Sequence, residues 1–124
     1  LEDEIKKLSK YVSLSEVVCK CGCGLVPTKE MLDKFDQIRE SYGKPLHITS
    51  GARCEKQNKK IGGSPKSNHV LGMALDVVRT DELEKFILGN LDTMDVCIED
   101  LGVTLTWIHV QVVPPKSGNR VFEV

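Results

Sequence analysis

Two histidines and one aspartate carry the chemistry open to this chain. His69 and Asp76 stand seven residues apart in Ser67-Asn68-His69-Val70-Leu71-Gly72-Met73-Ala74-Leu75-Asp76. His109 sits in the apolar run Trp107-Ile108-His109-Val110-Gln111-Val112. Two imidazoles and a carboxylate are three protein ligands for Zn²⁺, and three ligands leave a fourth position open, as in a catalytic site. Zn²⁺ lowers the pKa of a water it holds from about 16 to roughly 7 and polarises a carbonyl oxygen, which is the machinery of amide hydrolysis. Alone, His69 reads as a surface loop histidine and His109 as a hydrogen-bonded core histidine. Asp76 resists the bland reading: it lies between Leu75 and Val77-Val78, and a buried carboxylate is costly unless paired or metal-bound.

The surrounding landmarks fall in a recognisable order. Gly43-Lys44-Pro45-Leu46-His47-Ile48-Thr49-Ser50-Gly51-Ala52-Arg53-Cys54 comes first, then Asn58, then Ile61-Gly62-Gly63-Ser64, then the Ser-x-His-(x)6-Asp segment and the strand histidine. This ordered set resembles the zinc D-Ala-D-Ala carboxypeptidase and endopeptidase family, which acts on the peptides of bacterial cell walls and includes phage lysis enzymes. The resemblance implies a zinc ion held by His69, Asp76 and His109. It also implies a substrate-binding role for Arg53, which follows the Ser-Gly turn. Ser67 could hydrogen-bond substrate or orient its loop, and a plain turn serine is the competing reading. No motif places His47 at the metal, so it reads as structural. The chain departs from the family at Thr106, where many members carry an acid three residues before the second zinc histidine. A threonine is no general base, and zinc peptide hydrolysis normally needs a carboxylate. Glu99 and Asp100 are the nearest acids, and Glu99 is the expected base.

These residues need elements to hold them. Glu2 to Lys10 suits a short helix and Ser13-Leu14-Ser15-Glu16 a capped turn. A firm helix is expected from Thr28 to Tyr42: Thr28 caps it, Met31, Leu32, Phe35, Ile38 and Tyr42 share one face, and Gly43 ends it. Pro45 to Ser50 reads as a strand, Cys54 to Lys60 as a short helix, and Gly62-Gly63-Ser64-Pro65 as loop. A strand over Met73 to Val78 carries Asp76. Thr80 to Leu91 reads as a capped helix. Met94 to Glu99 and Thr104 to Val113 read as paired strands, and Val121 to Val124 as an edge strand. The order predicts an α+β domain with a small, mainly antiparallel sheet flanked by helices, a scaffold like that of the DD-peptidases and hedgehog signalling domains. One domain over 1–124 is expected, with 1–27 as an N-terminal extension and 28–124 as the catalytic core.

Composition narrows the rest. The 124 residues are 40% hydrophobic and 28% charged with a net charge of −1, so nothing draws the chain electrostatically to nucleic acid or an anionic membrane. No apolar stretch approaches the roughly 18–20 residues needed to span a bilayer, and Leu1-Glu2-Asp3-Glu4 is no signal peptide. Peptidoglycan stem peptides are the expected partner, the bacterial cell wall the expected place of action, and a monomer the expected state. Of five cysteines, Cys19, Cys21 and Cys23 crowd together, Cys54 stands apart, and Cys97 reads as core. The C-x-C-x-C spacing is not that of ordinary zinc modules. Free thiols, a disulfide to Cys54 and a second metal site all stay open. Two functions remain: a zinc peptidase, or a non-catalytic zinc-binding module on the same scaffold.

Overall fold

The structure is a computed structural model and describes residues 2–123. Helix α1 (Glu2–Leu8) and the single turn α2 (Leu14–Val17) come first. The Glu16 carboxylate accepts from the Ser13 N–H at 3.0 Å, which starts α2. Helix α3 (Lys29–Tyr42) begins where Thr28 Oγ1 accepts from the Met31 N–H at 3.2 Å and ends at Gly43 in the left-handed conformation. Strand β1 (Ile48–Ser50), helix α4 (Glu55–Lys60), strand β2 (Ala74–Val78) and helix α5 (Asp81–Leu88) follow. The turn α6 (Leu91–Met94), strands β3 (Cys97–Glu99) and β4 (Trp107–Gln111), and the edge strand β5 (Val121–Phe122) complete the chain.

The α+β class expected from the element order is the one observed. The sheet runs β1-β2-β4-β3-β5, antiparallel throughout except for the β3–β5 pair. One sheet face carries Leu75, Val77, Val96, Ile98, Ile108 and Val110 into a core shared with Leu32, Phe35 and Ile38 of α3 and Leu83 and Ile87 of α5. Truncating any one of the fully buried leucines here would cost about 2–5 kcal/mol. Ile5, Val12 and Val17 join that same core, so the N-terminal segment that carries them packs directly on the rest. Among the described residues no helix is long and apolar enough to cross a membrane.

Several element ends differ from expectation. Met94 closes α6 rather than opening a strand, because Asp95 sits in the left-handed region at φ 50° and breaks the extended run. Arg120 donates to Asp95 and Asp92 and holds that corner. Strand β4 starts only at Trp107. Thr106 O still accepts from the Arg79 backbone N–H of the β2 ladder at 3.1 Å, but the Thr104 carbonyl turns to the Arg79 guanidinium at 3.0 Å. Helix α5 stops at Leu88, with Gly89 as its C-cap. Val124, the end of the expected edge strand, lies outside the described residues.

The contact between α2 and β1 rests on Gly51. A Cβ built there would lie 2.3 Å from Val17 O and 2.5 Å from Val17 Cα, both backbone atoms that cannot rotate away. The Ala52 N–H donates to that same Val17 oxygen at 2.9 Å. Gly51→Ala is therefore expected to destabilise by about 1–3 kcal/mol. Urea unfolding checks it: the midpoint should fall at unchanged slope. An unmoved midpoint would mean that Val17 does not press on Gly51.

Candidate metal centre and cleft

Strand register builds the centre. Asp76 pairs with His109 between β2 and β4, flanked by the pairs Leu75–Val110 and Val77–Ile108. Alternation sends those four apolar neighbours to the core and both polar side chains to the opposite face. His69 arrives from the turn before β2. The Arg53 N–H donates to His69 O at 3.0 Å, the Gly72 N–H to the same oxygen at 3.1 Å, and the His69 N–H to Ser67 Oγ at 3.2 Å. The turn folds inward, so His69 is 1% exposed rather than a surface histidine.

Three donor atoms converge. Asp76 Oδ1 lies 3.1 Å from His69 Nε2 and 3.1 Å from His109 Nδ1, and the two nitrogens are 3.2 Å apart. The outer nitrogens fix the tautomers. His69 Nδ1 faces Gly51 O at 2.8 Å, an acceptor only, so it must donate. His109 Nε2 faces Gln111 Oε1 at 2.7 Å, and Gln111 Nε2 donates to Val113 O at 2.6 Å, which orients the amide. With both protons directed outward, two imidazole lone pairs and a carboxylate oxygen point at one spot with no proton between them. A tetrahedral ion with bonds of about 2.0–2.1 Å to nitrogen and oxygen has ligand edges of about 3.3–3.4 Å. The donor set suits Zn²⁺, and the outward bonds to Gly51 and Gln111 are those that orient ligating histidines.

The local field also favours positive charge here. Burial pushes the Asp76 carboxyl up, but the facing His109 and His69 outweigh it and, were they protonated, would hold the group well below the usual carboxylate range. Burial pulls His109 down, yet the nearby Asp76 carboxylate, with help from Gln111 and Glu99, favours a second proton on the ring and raises it overall.

The centre lies in a cleft of about 830 Å³. Arg53, Ser67 and Glu99 all line it. Arg53 Nη2 donates to Ser67 Oγ at 3.1 Å, and Arg53 Nε is buried with no hydrogen-bond partner among the described residues. Ser67 thus orients both the guanidinium and the His69 backbone. Glu99 follows Ile98, which pairs with Val110, so the β3 register carries Glu99 beside His109. Asp100 is absent from the cleft lining, and its carboxylate accepts from the Gly102 N–H at 2.8 Å in a tight turn. Thr106 and His47 are exposed, and neither lines the cleft. Gln111 was not expected at the site. Its signal was a polar residue two places after His109, on the same strand face in an apolar run. Lys66 and Lys116 add positive charge to the walls.

A family model described as Peptidase M15 matches residues 10–111. The match spans Arg53, Ser67, His69, Asp76, Glu99 and His109. No curated protein matches the chain.

Proposed function

This chain belongs to the peptidase M15 family, and on that footing we propose that it is a zinc-dependent peptidase cleaving an amide bond in the peptide part of bacterial peptidoglycan, with a phage or prophage lysis enzyme as its setting. The observation that carries this reading is the meeting of His69, Asp76 and His109 lone pairs at the floor of a cleft that also presents Glu99 and Arg53.

His69 Nε2, Asp76 Oδ1 and His109 Nδ1 would hold the ion. When bound, Zn²⁺ supplies Lewis acidity toward a water and a carbonyl oxygen. Glu99 takes a proton from the attacking water as its oxygen joins the carbonyl carbon, then returns it to the amide nitrogen as the C–N bond breaks. Arg53 offers planar donors to the substrate carbonyl or the oxyanion that grows from it. Together with Lys66 and Lys116 it makes the cleft receptive to the carboxylates of stem peptides. The scissile bond is a D-Ala-D-Ala end, an L-Ala-D-Glu bond or a crossbridge.

Digestion of purified peptidoglycan, with and without a chelator and with zinc restored, tests the reading. Mass analysis should find new amine and carboxyl ends that the chelator suppresses and zinc restores. Failure to release such ends from any wall substrate would favour the non-catalytic module, which Thr106 already suggests by replacing the acid common in this family. A finer expectation concerns Arg53→Lys, which keeps the charge but loses the fork. A lost charged hydrogen bond is worth about 1.5–3 kcal/mol, so kcat/KM should fall about 10–100-fold, mainly through KM. Steady-state kinetics on a defined stem peptide decide it, and an unchanged KM would remove Arg53 from substrate binding.

A further inference from the structure

We propose that Cys19, Cys21, Cys23 and Cys54 form a second, closed zinc site that clips the N-terminal segment to the turn bearing Arg53. Their four sulfurs lie within 4.8 Å of one another. Cys21 Sγ is 3.4 Å from Cys54 Sγ and 3.5 Å from Cys19 Sγ. A tetrahedral Zn²⁺ with Zn–S bonds of about 2.3 Å has sulfur–sulfur edges of about 3.8 Å, so the cluster already approximates the polyhedron. Four thiolates fill every position, which makes such a site structural rather than catalytic.

The chain is shaped for this convergence. In extended backbone Cys19, Cys21 and Cys23 would share a face but stand about 6–7 Å apart, too far to meet at one ion. Here residues 20–23 form a turn, Gly22 stands at φ 88°, and the Gly22 N–H donates to Cys19 O at 3.2 Å. The Cys19 N–H donates to Leu25 O at 2.8 Å and closes the loop. Two backbone N–H groups point at sulfur: Cys54 N–H to Cys19 Sγ at 3.3 Å and Gln57 N–H to Cys54 Sγ at 3.4 Å. Such donors favour the thiolate form that zinc requires. The fifth cysteine, Cys97, is buried elsewhere and takes no part. A single disulfide would use two of the four sulfurs and leave the tetrahedral gathering of the others without a cause.

The position gives the site its role. Cys54 directly follows Arg53, whose N–H bonds His69 O, and Gly51 O receives His69 Nδ1–H. An ion at the cysteines therefore anchors the loop that orients one donor of the cleft and presents the guanidinium.

Metal counting on protein prepared under reducing conditions with Zn²⁺ tests this. Native mass spectrometry should find two zinc ions in the parent, one in His109→Ala and one in the double variant Cys21→Ser/Cys23→Ser. X-ray absorption on His109→Ala should show sulfur neighbours at about 2.3 Å, and this measurement holds even if the cysteine variant does not fold. Amide exchange at Ala52 and Arg53 should quicken at least about tenfold in the double variant, as local opening becomes easier. A parent with one zinc that disappears in His109→Ala would overturn the cysteine site while leaving the cleft reading intact. An intramolecular disulfide in the reduced preparation would overturn it as well. A zinc retained in His109→Ala with sulfur ligation, beside a parent inactive on wall peptides, would uphold the cysteine site and reject the peptidase reading.

Discussion

His109→Ala is expected to remove one zinc ion per chain and to abolish hydrolysis of wall peptides. Among the described residues His109 Nδ1 is one of three protein donors at the spot, and the other two, His69 Nε2 and Asp76 Oδ1, cannot enclose an ion from one side. Loss of a Lewis acid worth several kcal/mol corresponds to a fall in kcat/KM on the order of 10⁴-fold or more. His47→Ala, by contrast, should keep full metal content, because His47 is exposed and contributes to β2 only through its carbonyl, which accepts from the Val78 N–H at 2.8 Å. Gln111→Ala should fall between them. It frees His109 Nε2 from its orienting partner, and the loss of such a partner lowers metal affinity about 10–100-fold. Elemental analysis across the three variants checks the order. Equal metal loss in His109→Ala and His47→Ala would refute the division of the histidines.

Glu99→Gln is expected to keep its zinc and lose about 10²–10⁴ in kcat, the usual worth of a general base. The amide is nearly isosteric with the carboxylate, so packing against the cleft should not change. Asp100→Asn should leave kcat unchanged, since Asp100 serves the turn at Gly102. The reverse result would transfer the role to Asp100, and full activity in both would place the base elsewhere. The departure at Thr106 acquires a physical sense here. Thr106 precedes β4, its carbonyl is engaged by Arg79, and its side chain is exposed. A carboxylate is instead brought to the cleft from the neighbouring strand, with Glu99 paired to Phe122 of β5 and His109 ringed edge-on by Phe122 at 6.0 Å.

What the sequence made legible was whatever local patterning determines. Alternation of polar and apolar residues put Asp76 and His109 on a common face, and capping at Thr28 and Thr80 marked two helices. Strand ends were less legible, because they depend on distant partners. Ahead of Trp107 the Arg79 guanidinium, not a neighbouring strand, takes the Thr104 carbonyl, and no local feature of Thr104 announces that. The strand expected at Met94 failed for a similar reason: Met94, Val96 and Ile98 are indeed all buried, but Asp95 in the left-handed region makes that burial without an extended run. The cysteines were opaque for the opposite reason. Their C-x-C-x-C spacing argued against a shared site, and only the turn at Gly22 brings the thiols together.

The register of the sheet also sets a calendar for the newborn chain. Cys21 and Cys54 are 33 residues apart and both lie in the first half, whereas His69 must wait for His109, 40 residues further on, and for β4 to dock beside β2. Synthesis proceeds from the N-terminus at about 5–20 residues per second, so the last of the four clustered thiols, Cys54, emerges seconds before His109 does. The three donors that would hold an ion meet only after the central pair of strands has closed. On the reading proposed above, a chain assembled in that order is inert for as long as it is incomplete, and hydrolysis would begin only at a late step of folding.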